Sequence, residues 1–313
     1  MAEPVISYPG AKWRFYTHMK KYFPLDMKDF REPFFGGGSV SLSVADDPDF
    51  TKLERIQVGD LAPEIWAMWT GIRNNAPDVV EIVHKWFEEK CPLQIEVRNA
   101  DPFSPEYEDL YNRAIEQGRE FWKWSQTVDC STLSIPERAA RTFLVNKISF
   151  SGMGDSGSIS KDQFMDFKVE KTKNILLAQP LLQRMEINNV SFEDTMSNVD
   201  PKNTFIFLDP PYYRQESSGL YGKHGGMHRG FPHEHFAEFT RNTNCKWFIT
   251  YDDSVKVRKM FRGSAIYGGK CYVTPFKIPG GYTLAGKTAE DALDGEEVII
   301  TNYPIEQTED EDL

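Results

Sequence analysis

The stretch FIFLDPPYY at residues 205–213 joins an apolar run to a carboxylate, two prolines and aromatic rings. Four consecutive apolar residues predict a buried strand, and the Asp-Pro-Pro sequence predicts a rigid turn at its end. Asp209 can accept a hydrogen bond from an exocyclic amine. The Pro210 carbonyl can be a second acceptor, because Pro210 and Pro211 both lack an N–H. Tyr212 offers a flat face for stacking a nucleobase, worth roughly 1–3 kcal/mol. The pattern favours a site for the amino group of a base over an ordinary Pro-Pro turn.

A glycine turn earlier in the chain predicts a second functional element. Residues 30–35 read as a strand that leads into Gly36-Gly37-Gly38-Ser39 and then into a helix. Glycines between a strand and a helix let the backbone approach a ligand, and an acidic residue about 20 positions later, here Asp60, can bind ribose hydroxyls. The GxGxxG and GxxxxGK[ST] patterns are missing, so a nucleoside that carries an amino acid fits better than one that carries phosphates. A plain tight turn with a solvated aspartate is the alternative.

Alternating strands and helices predict one α/β domain. We expect residues 1–62 and 190–305 to form this domain, with a mostly helical insertion at 63–189 and an acidic disordered tail at 306–313. Ser134 and Glu137 predict a capping box. The expected strands are Arg55–Val58, Arg184–Val190, Thr204–Leu208, Lys246–Tyr251, Ala265–Tyr267, Lys270–Phe276 and Val298–Thr301. The expected helices are Glu64–Arg73, Val79–Glu88, Tyr107–Trp124, Pro136–Ser149 and His233–Arg241.

Composition narrows the functional class. The 313 residues carry a formal net charge of −11, which argues against a protein that coats nucleic acid nonspecifically. No signal-peptide pattern and no apolar run of about 18 residues are found, so we expect a cytoplasmic protein without a membrane anchor. The four cysteines are scattered without zinc-ligand spacing, so we expect reduced thiols and no metal.

Four blocks, in this order, resemble the Dam-type (D12 class, α-group) DNA adenine-N6 methyltransferases. They are YPGAKWR at 8–14, EPFFGGGSVSL at 32–42, VGDLAPEI at 58–65 and FLDPPYY at 207–213. A fifth block, FLVNKISFSGMG at 143–154, is similar to the family's segment near target recognition. The resemblance implies a Rossmann-like methyltransferase fold with a helical target-recognition insertion. It also implies S-adenosylmethionine as the methyl donor.

The resemblance also implies residue roles. The cofactor would be surrounded by Tyr8, Pro9, Lys12, Phe35, Gly36, Gly38, Ser39, Asp60, Phe192 and Asp209, with Asp60 on the ribose and Phe192 beside the adenine. The catalytic residues would be Asp209, Pro210, Pro211 and Tyr212, acting on a flipped adenine. Double-stranded DNA would be contacted by Asn146, Lys147, Ser151, Lys161, Gln163, Lys223 and Arg229. The sequence departs from the family pattern at Tyr8, where tryptophan is frequent, and at Lys147 and Ser151.

The expected function is therefore site-specific transfer of a methyl group to adenine N6 in a short duplex sequence. An RNA adenine-N6 or DNA cytosine-N4 methyltransferase remains an alternative, as does a catalytically silent DNA-binding protein of the same fold. We expect a monomer or weak dimer from a bacterial cell or a virus-infected host. The sequence does not identify the DNA site or a partner restriction enzyme.

Overall fold

The computed structural model describes residues 4–213, 230–277 and 296–305. Within them one sheet contains seven strands, with the order β3-β2-β1-β4-β5-β7-β6. The strands are β1 (Asp29–Glu32), β2 (Arg55–Gly59), β3 (Met185–Asn188), β4 (Thr204–Leu208), β5 (Lys246–Asp252), β6 (Tyr272–Lys277) and β7 (Glu296–Thr301). Strands β1 to β5 pair in parallel, whereas β7 runs antiparallel to both β5 and β6. The expected α/β fold is confirmed.

Strand direction decides which residues meet at one edge of this sheet. The glycine turn follows β1, Asp60 follows β2 and Asp209 follows β4, so all three lie at the carboxyl edge of the parallel strands. Because β7 runs the other way, its beginning lies at this edge, and Glu297 is directly opposite Asp252 of β5.

Helices cover the sheet and form a layer beside it. They are α1 (Tyr16–Lys20), α2 (Ser39–Asp46), α3 (Pro63–Lys90), α4 (Pro92–Asn99), α5 (Tyr107–Thr127), α6 (Ile135–Ile148), α7 (Lys161–Asp166), α8 (Lys173–Leu182), α9 (Phe192–Thr195), α10 (His233–Arg241) and α11 (Val255–Met260). The capping box of Ser134 and Glu137 is present at the start of α6. None of the described helices is long and apolar enough to cross a membrane.

Three expected elements, two helices and one strand, differ from the structure. The two helices predicted on either side of residue 75 are halves of α3, which bends at Asn75, where φ is −155° and ψ is 74°. The strand expected at Ala265–Tyr267 is wrong, because this segment turns. Gly268 and Gly269 adopt φ values of 72° and 80°, and a Cβ on Gly268 would collide with the Asn302 carbonyl. The chain therefore reverses sharply where extension was expected.

The sheet and the helical layer share one hydrophobic core. A single cluster of buried side chains contains Trp69 of α3 and Phe143 of α6 together with Phe30 of β1 and Phe205 of β4. Strand β3 pairs with β2, so the catalytic sheet also draws on residues that the expected division at 190 assigned to the insertion. A second cluster, with Trp247 among its members, packs against α10.

Candidate active site

Asp209 at the end of β4 is held by two side chains. The Lys12 Nζ atom lies 2.9 Å from Asp209 Oδ1 and 3.0 Å from Oδ2, and it also donates to the Gly10 carbonyl at 2.7 Å. The Thr250 hydroxyl of β5 donates to Asp209 Oδ1 at 2.7 Å. Lys12 is only 2 % exposed, whereas the side chain of Asp209 is 22 % exposed. The carboxylate is therefore fixed on its protein side and open on the other.

Tyr212 is also fixed by contacts that the sequence did not indicate. Its hydroxyl donates to Glu297 Oε1 at 2.7 Å, and its ring stacks on Tyr251 with centroids 5.8 Å apart. The Lys12 ammonium lies 5.0 Å from the Tyr212 ring centroid. Tyr212 is 8 % exposed, and burial, with Glu297 and Asp209 nearby, raises the pKa of its phenol well above the usual range. The phenol is therefore neutral.

Further carboxylates surround this motif. Burial is the main cause that raises the pKa of Glu297 to about 7, with Asp209 and Asp252 adding to the rise, while Lys12 and Tyr212 oppose it. Asp252 Oδ1 accepts the Tyr213 N–H at 2.7 Å. The edge is thus rich in acidic groups.

Glu32 on β1 is another buried carboxylate at this edge. It accepts hydrogen bonds from the Ser41 N–H and hydroxyl. Burial raises the pKa of Glu32 to about 8, opposed by the two Ser41 bonds and reinforced by Asp209 and Asp60. A protonated Glu32 adds no charge near Asp209 at neutral pH.

The glycine turn and Asp60 are bonded to each other. The Gly36 N–H donates to Asp60 Oδ2 at 2.8 Å, and the Ala62 N–H donates to Asp60 Oδ1 at 2.8 Å. Burial raises the pKa of Asp60 to about 6, although these two backbone bonds oppose the shift. The Trp69 indole of α3 donates to the Gly36 carbonyl at 2.8 Å. Both the N–H and the carbonyl of Gly36 are therefore hydrogen-bonded, which fixes the turn.

Only glycine fits this turn, because the N-terminal segment crosses it closely. Gly36 and Gly38 adopt φ values of 43° and 70°, in the left-handed region that favours glycine. A Cβ on Gly36 would lie 2.8 Å from the Tyr8 ring, and one on Gly37 would lie 2.6 Å from Tyr8 Cβ. The Lys12 N–H donates to Ser39 Oγ at 3.1 Å. The structure thus brings the first two expected cofactor blocks together.

The remaining expected cofactor residues differ in exposure. Phe35 is buried with its centroid 5.2 Å from Trp69, and Pro9 is half-buried. Phe192 is 8 % exposed and stacks on Phe34 with centroids 5.8 Å apart. Phe192 therefore belongs mainly to the second core cluster, and any cofactor contact would involve its exposed edge.

The residues expected to contact DNA fall into two groups. Asn146 is 5 % exposed, and its amide bonds the Ser7 backbone at 3.0 and 2.6 Å and the Gly152 carbonyl at 2.8 Å. Gln163, with its amide oriented to satisfy both neighbours, donates to the Ser149 carbonyl and accepts from the Ser151 N–H. These two amides hold the α6–α7 loop, residues 149–160, and Asn146 is largely buried as it does so.

The two basic candidates in the described part of the chain, Lys147 and Lys161, are accessible to different degrees. Lys161 is exposed, with its ammonium 4.8 Å from the Tyr111 ring centroid. Lys147 is half-buried, and burial, helped by Lys171, lowers its pKa to about 8. Ser151 adopts a left-handed φ of 53°. Lys223 and Arg229 lie outside the described residues.

Sequence reasoning missed the groups that the antiparallel strand and β5 contribute. Glu297, Asp252 and Thr250 contact the Asp209–Tyr213 motif, yet none of them belongs to a short motif. The available signal was the Glu296-Glu297 pair directly before the apolar Val298–Thr301. Acidic residues at the start of a buried strand predict a polar site only once the strand order is known.

The fold is that of the methyltransferases that use S-adenosylmethionine. Its sheet order is combined with a glycine turn after β1, an acidic residue after β2 and the Asp-Pro-Pro-Tyr turn after β4. The family of D12 class N6 adenine-specific DNA methyltransferases matches residues 8–273 of the chain. The protein belongs to this family and is a site-specific DNA adenine methyltransferase.

Curated relatives agree with this assignment at low identity. The type II methyltransferase M.CviBI of Paramecium bursaria Chlorella virus NC1A is 21 % identical over 312 residues, covering 96 % of this chain and all of that protein. M.MjaIII of Methanocaldococcus jannaschii is 20 % identical over 83 % of this chain and 79 % of its own length. M1.LlaDCHI of Lactococcus lactis subsp. cremoris is 20 % identical over 74 % of this chain and 72 % of its own length.

The residues present fit S-adenosylmethionine, the family's methyl donor. Asp60 is partly exposed and has acceptor capacity beyond its two backbone bonds, as ribose hydroxyls require. The acidic edge around Asp209 suits a sulfonium cation. When bound, the sulfonium supplies an electrophilic methyl group.

Proposed function

We propose that the enzyme takes the target adenine out of the duplex and grips its N6 amine between the Asp209 carboxylate and the Pro210 carbonyl. The geometry of Asp209 carries this proposal. Lys12 contacts both of its oxygens and Thr250 contacts one, whereas a carboxylate has about four lone-pair positions. One acceptor position therefore remains beyond these three contacts, on a side chain that is 22 % exposed.

This grip explains how the chain can activate a poor nucleophile. The lone pair of an adenine amine is conjugated with the ring, and two acceptors on its hydrogens favour a geometry in which the lone pair points out of the ring system. Holding the reactants in line supplies much of the acceleration in such transfers. The nitrogen lone pair takes the methyl group directly as the methyl–sulfur bond breaks, which leaves a neutral thioether, and the amine then releases one proton to solvent. No covalent enzyme intermediate is needed.

Tyr212 is the proposed stacking surface for the extrahelical base. Its ring is supported by Tyr251 on one side and oriented through its hydroxyl by Glu297. A ring held in this way loses little freedom when a base stacks on it, which favours binding. Pro211 and Tyr213 on either side are partly exposed, and we assign them to the border of the base site.

The expected cofactor residues keep their proposed roles. Asp60 would hold the ribose hydroxyls and the exposed edge of Phe192 would lie by the adenine. The methionine portion would lie against the glycine turn and the N-terminal block, lined by Tyr8, Pro9, Lys12, Phe35, Gly36, Gly38 and Ser39. The close packing of Tyr8 on this turn supports a shared role for the two blocks.

We propose that the α6–α7 loop with Lys147 and Lys161 forms the DNA contact surface. The Arg141 guanidinium holds Asp155 of the loop at 3.1 and 2.7 Å, and Asn146 holds Gly152 at 2.8 Å. A rigid loop presents its exposed groups to DNA in one arrangement. Basic side chains contact phosphates, while polar groups read base edges.

The test is methyl transfer from labelled S-adenosylmethionine to duplex DNA, with sequencing of the product to locate the base. Asp209→Ala should lower incorporation below detection, because one of the two amine acceptors is lost, and thermal melting should establish that the variant is folded under the assay conditions. Glu54→Ala is the matched control, since it removes an acidic side chain that is 67 % exposed and pairs with Lys28 on the surface. Substantial incorporation by folded Asp209→Ala would overturn the proposed grip.

A further inference from the structure

Glu297 is a buried carboxylate that lies outside the sequence motifs of the site and has no role in the proposed grip on the adenine amine. It lies at the start of β7, opposite Asp252 of β5 and Phe276 of β6. Its side chain is 2 % exposed. The antiparallel direction of β7 is what brings it to the edge where the parallel strands end.

Only one oxygen of Glu297 has a hydrogen-bond partner among the described residues. Oε1 accepts the Tyr212 hydroxyl at 2.7 Å, whereas Oε2 is buried without a partner. The Lys12 ammonium lies 3.9 Å from Oε1. Burying a carboxylate with an unsatisfied oxygen is costly, and such groups are concentrated at functional sites.

The charges around Glu297 are unbalanced. In the described part of the chain, the titratable groups that face it are Lys12, Asp209, Tyr212 and, across the strand pair, Asp252. Lys12 is the one cation among them, and its closest contacts are with Asp209 and Gly10. Glu297 and Asp209 therefore share the Lys12 ammonium as their nearby cation. Protonation of Glu297 removes part of the negative charge that attracts Lys12.

We propose that Glu297 is a positioning residue for methyl transfer, which orients the Tyr212 ring through its hydroxyl and, together with Asp209, keeps the Lys12 ammonium beside that ring. This rests on the proposed function of Asp209 and Tyr212. Ionised Glu297 accepts a charge-assisted bond from the phenol and attracts Lys12. Protonation weakens both interactions.

The direction of the pH effect follows from the burial of Glu297. Its pKa is raised to about 7, so the ionised form is lost as the pH falls through neutrality. The rate of single-turnover methylation should therefore decline below about pH 7, and this acidic limb of the pH–rate profile should reflect the titration of Glu297. The Tyr212 hydrogen bond lowers this pKa, so Tyr212→Phe should raise it and move the limb to higher pH.

The experiment measures single-turnover methylation of saturating DNA by the full chain against pH, with Glu297→Gln and Tyr212→Phe. Glu297→Gln keeps the shape of the side chain and removes its charge. Its rate at high pH should fall by about tenfold or more, as expected for loss of a bond to a charged acceptor, and its limb near neutrality should disappear. Thermal melting should show that the variant is folded.

The outcomes separate this inference from the proposed function. Absence of methylation by the wild-type chain counts against the proposed function, whereas active wild type with an unchanged rate and pH profile in Glu297→Gln overturns the positioning role. A slower Glu297→Gln whose limb is unmoved assigns Glu297 to stability alone, which also overturns it. If Glu297→Gln does not fold, Tyr212→Phe decides, because a limb at its original pH contradicts the proposal.

Discussion

Replacing Lys12 by methionine should destabilise the protein and stop turnover together. Lys12 is 2 % exposed and lies 2.9 and 3.0 Å from the two oxygens of Asp209. Removing one partner of a buried ion pair costs about 3–5 kcal/mol. Asp209 is 22 % exposed and keeps its Thr250 bond, so we expect a loss in unfolding free energy of about 2–3 kcal/mol. For a chain of this length, this corresponds to a melting temperature lower by about 3–5 °C.

The assay is thermal unfolding by circular dichroism, followed by methyl incorporation under the same conditions. Lys28→Met is the matched control, because its partner Glu54 is exposed and such surface pairs contribute about 0–1 kcal/mol. The double variant Lys12→Met with Asp209→Asn should recover most of the stability, since the unpaired charge is gone, but not the activity. Turnover of Lys12→Met should fall by about 100-fold, because the carboxylate loses its orientation. Equal melting of Lys12→Met and Lys28→Met would refute the reasoning.

Three further predictions follow from the cofactor and DNA surfaces. Burial raises the pKa of Asp60 to about 6, so the calorimetric affinity for S-adenosylmethionine should weaken as the pH falls through about 6, and Asp60→Asn should flatten this dependence. Gly36→Ala should lower the melting temperature more than Gly269→Ala, since both glycines have positive φ but only a Cβ on Gly36 meets Tyr8; equal losses would contradict the packing argument. Lys161→Gln should reduce the salt slope of DNA binding by about 1 if this exposed lysine contacts a phosphate, as a titration at several salt concentrations would reveal.

Local sequence signals predicted the elements well where distinct residues, such as prolines or helix caps, mark the beginning or end of a strand or helix. Strand β4 has the expected bounds, because its apolar run stops at Asp209-Pro210, and helix α10 also begins and ends where expected. The capping box before α6 was predicted from Ser134 and Glu137 alone. The turn at 265–267 was missed because three apolar or aromatic residues favour a strand, while the tight approach of Gly268 to Asn302 is a long-range contact.

The site was predicted only as far as its motifs reach. The blocks at residues 32–42 and 58–65 predicted the glycine turn and Asp60, but not the hydrogen bond between Asp60 and the Gly36 N–H. Glu297 needed the antiparallel pairing of β7, which no local pattern specifies. Asn146 was predicted to contact DNA, but its side chain is only 5 % exposed. Burial of a polar side chain on a helix depends on what packs against that helix, which a local sequence pattern does not specify.

The Trp69 bond to the Gly36 carbonyl limits how new specificities can be made from this scaffold. Because an indole of the helical layer donates to the Gly36 carbonyl at 2.8 Å, a chimera that exchanges the whole layer with a distant relative would disturb the turn on which we propose the methyl donor binds. Grafts confined to residues 149–160, with Arg141 and Asn146 retained as anchors, would leave that support intact. Because we propose that this loop contacts DNA, directed evolution of target preference should vary its residues.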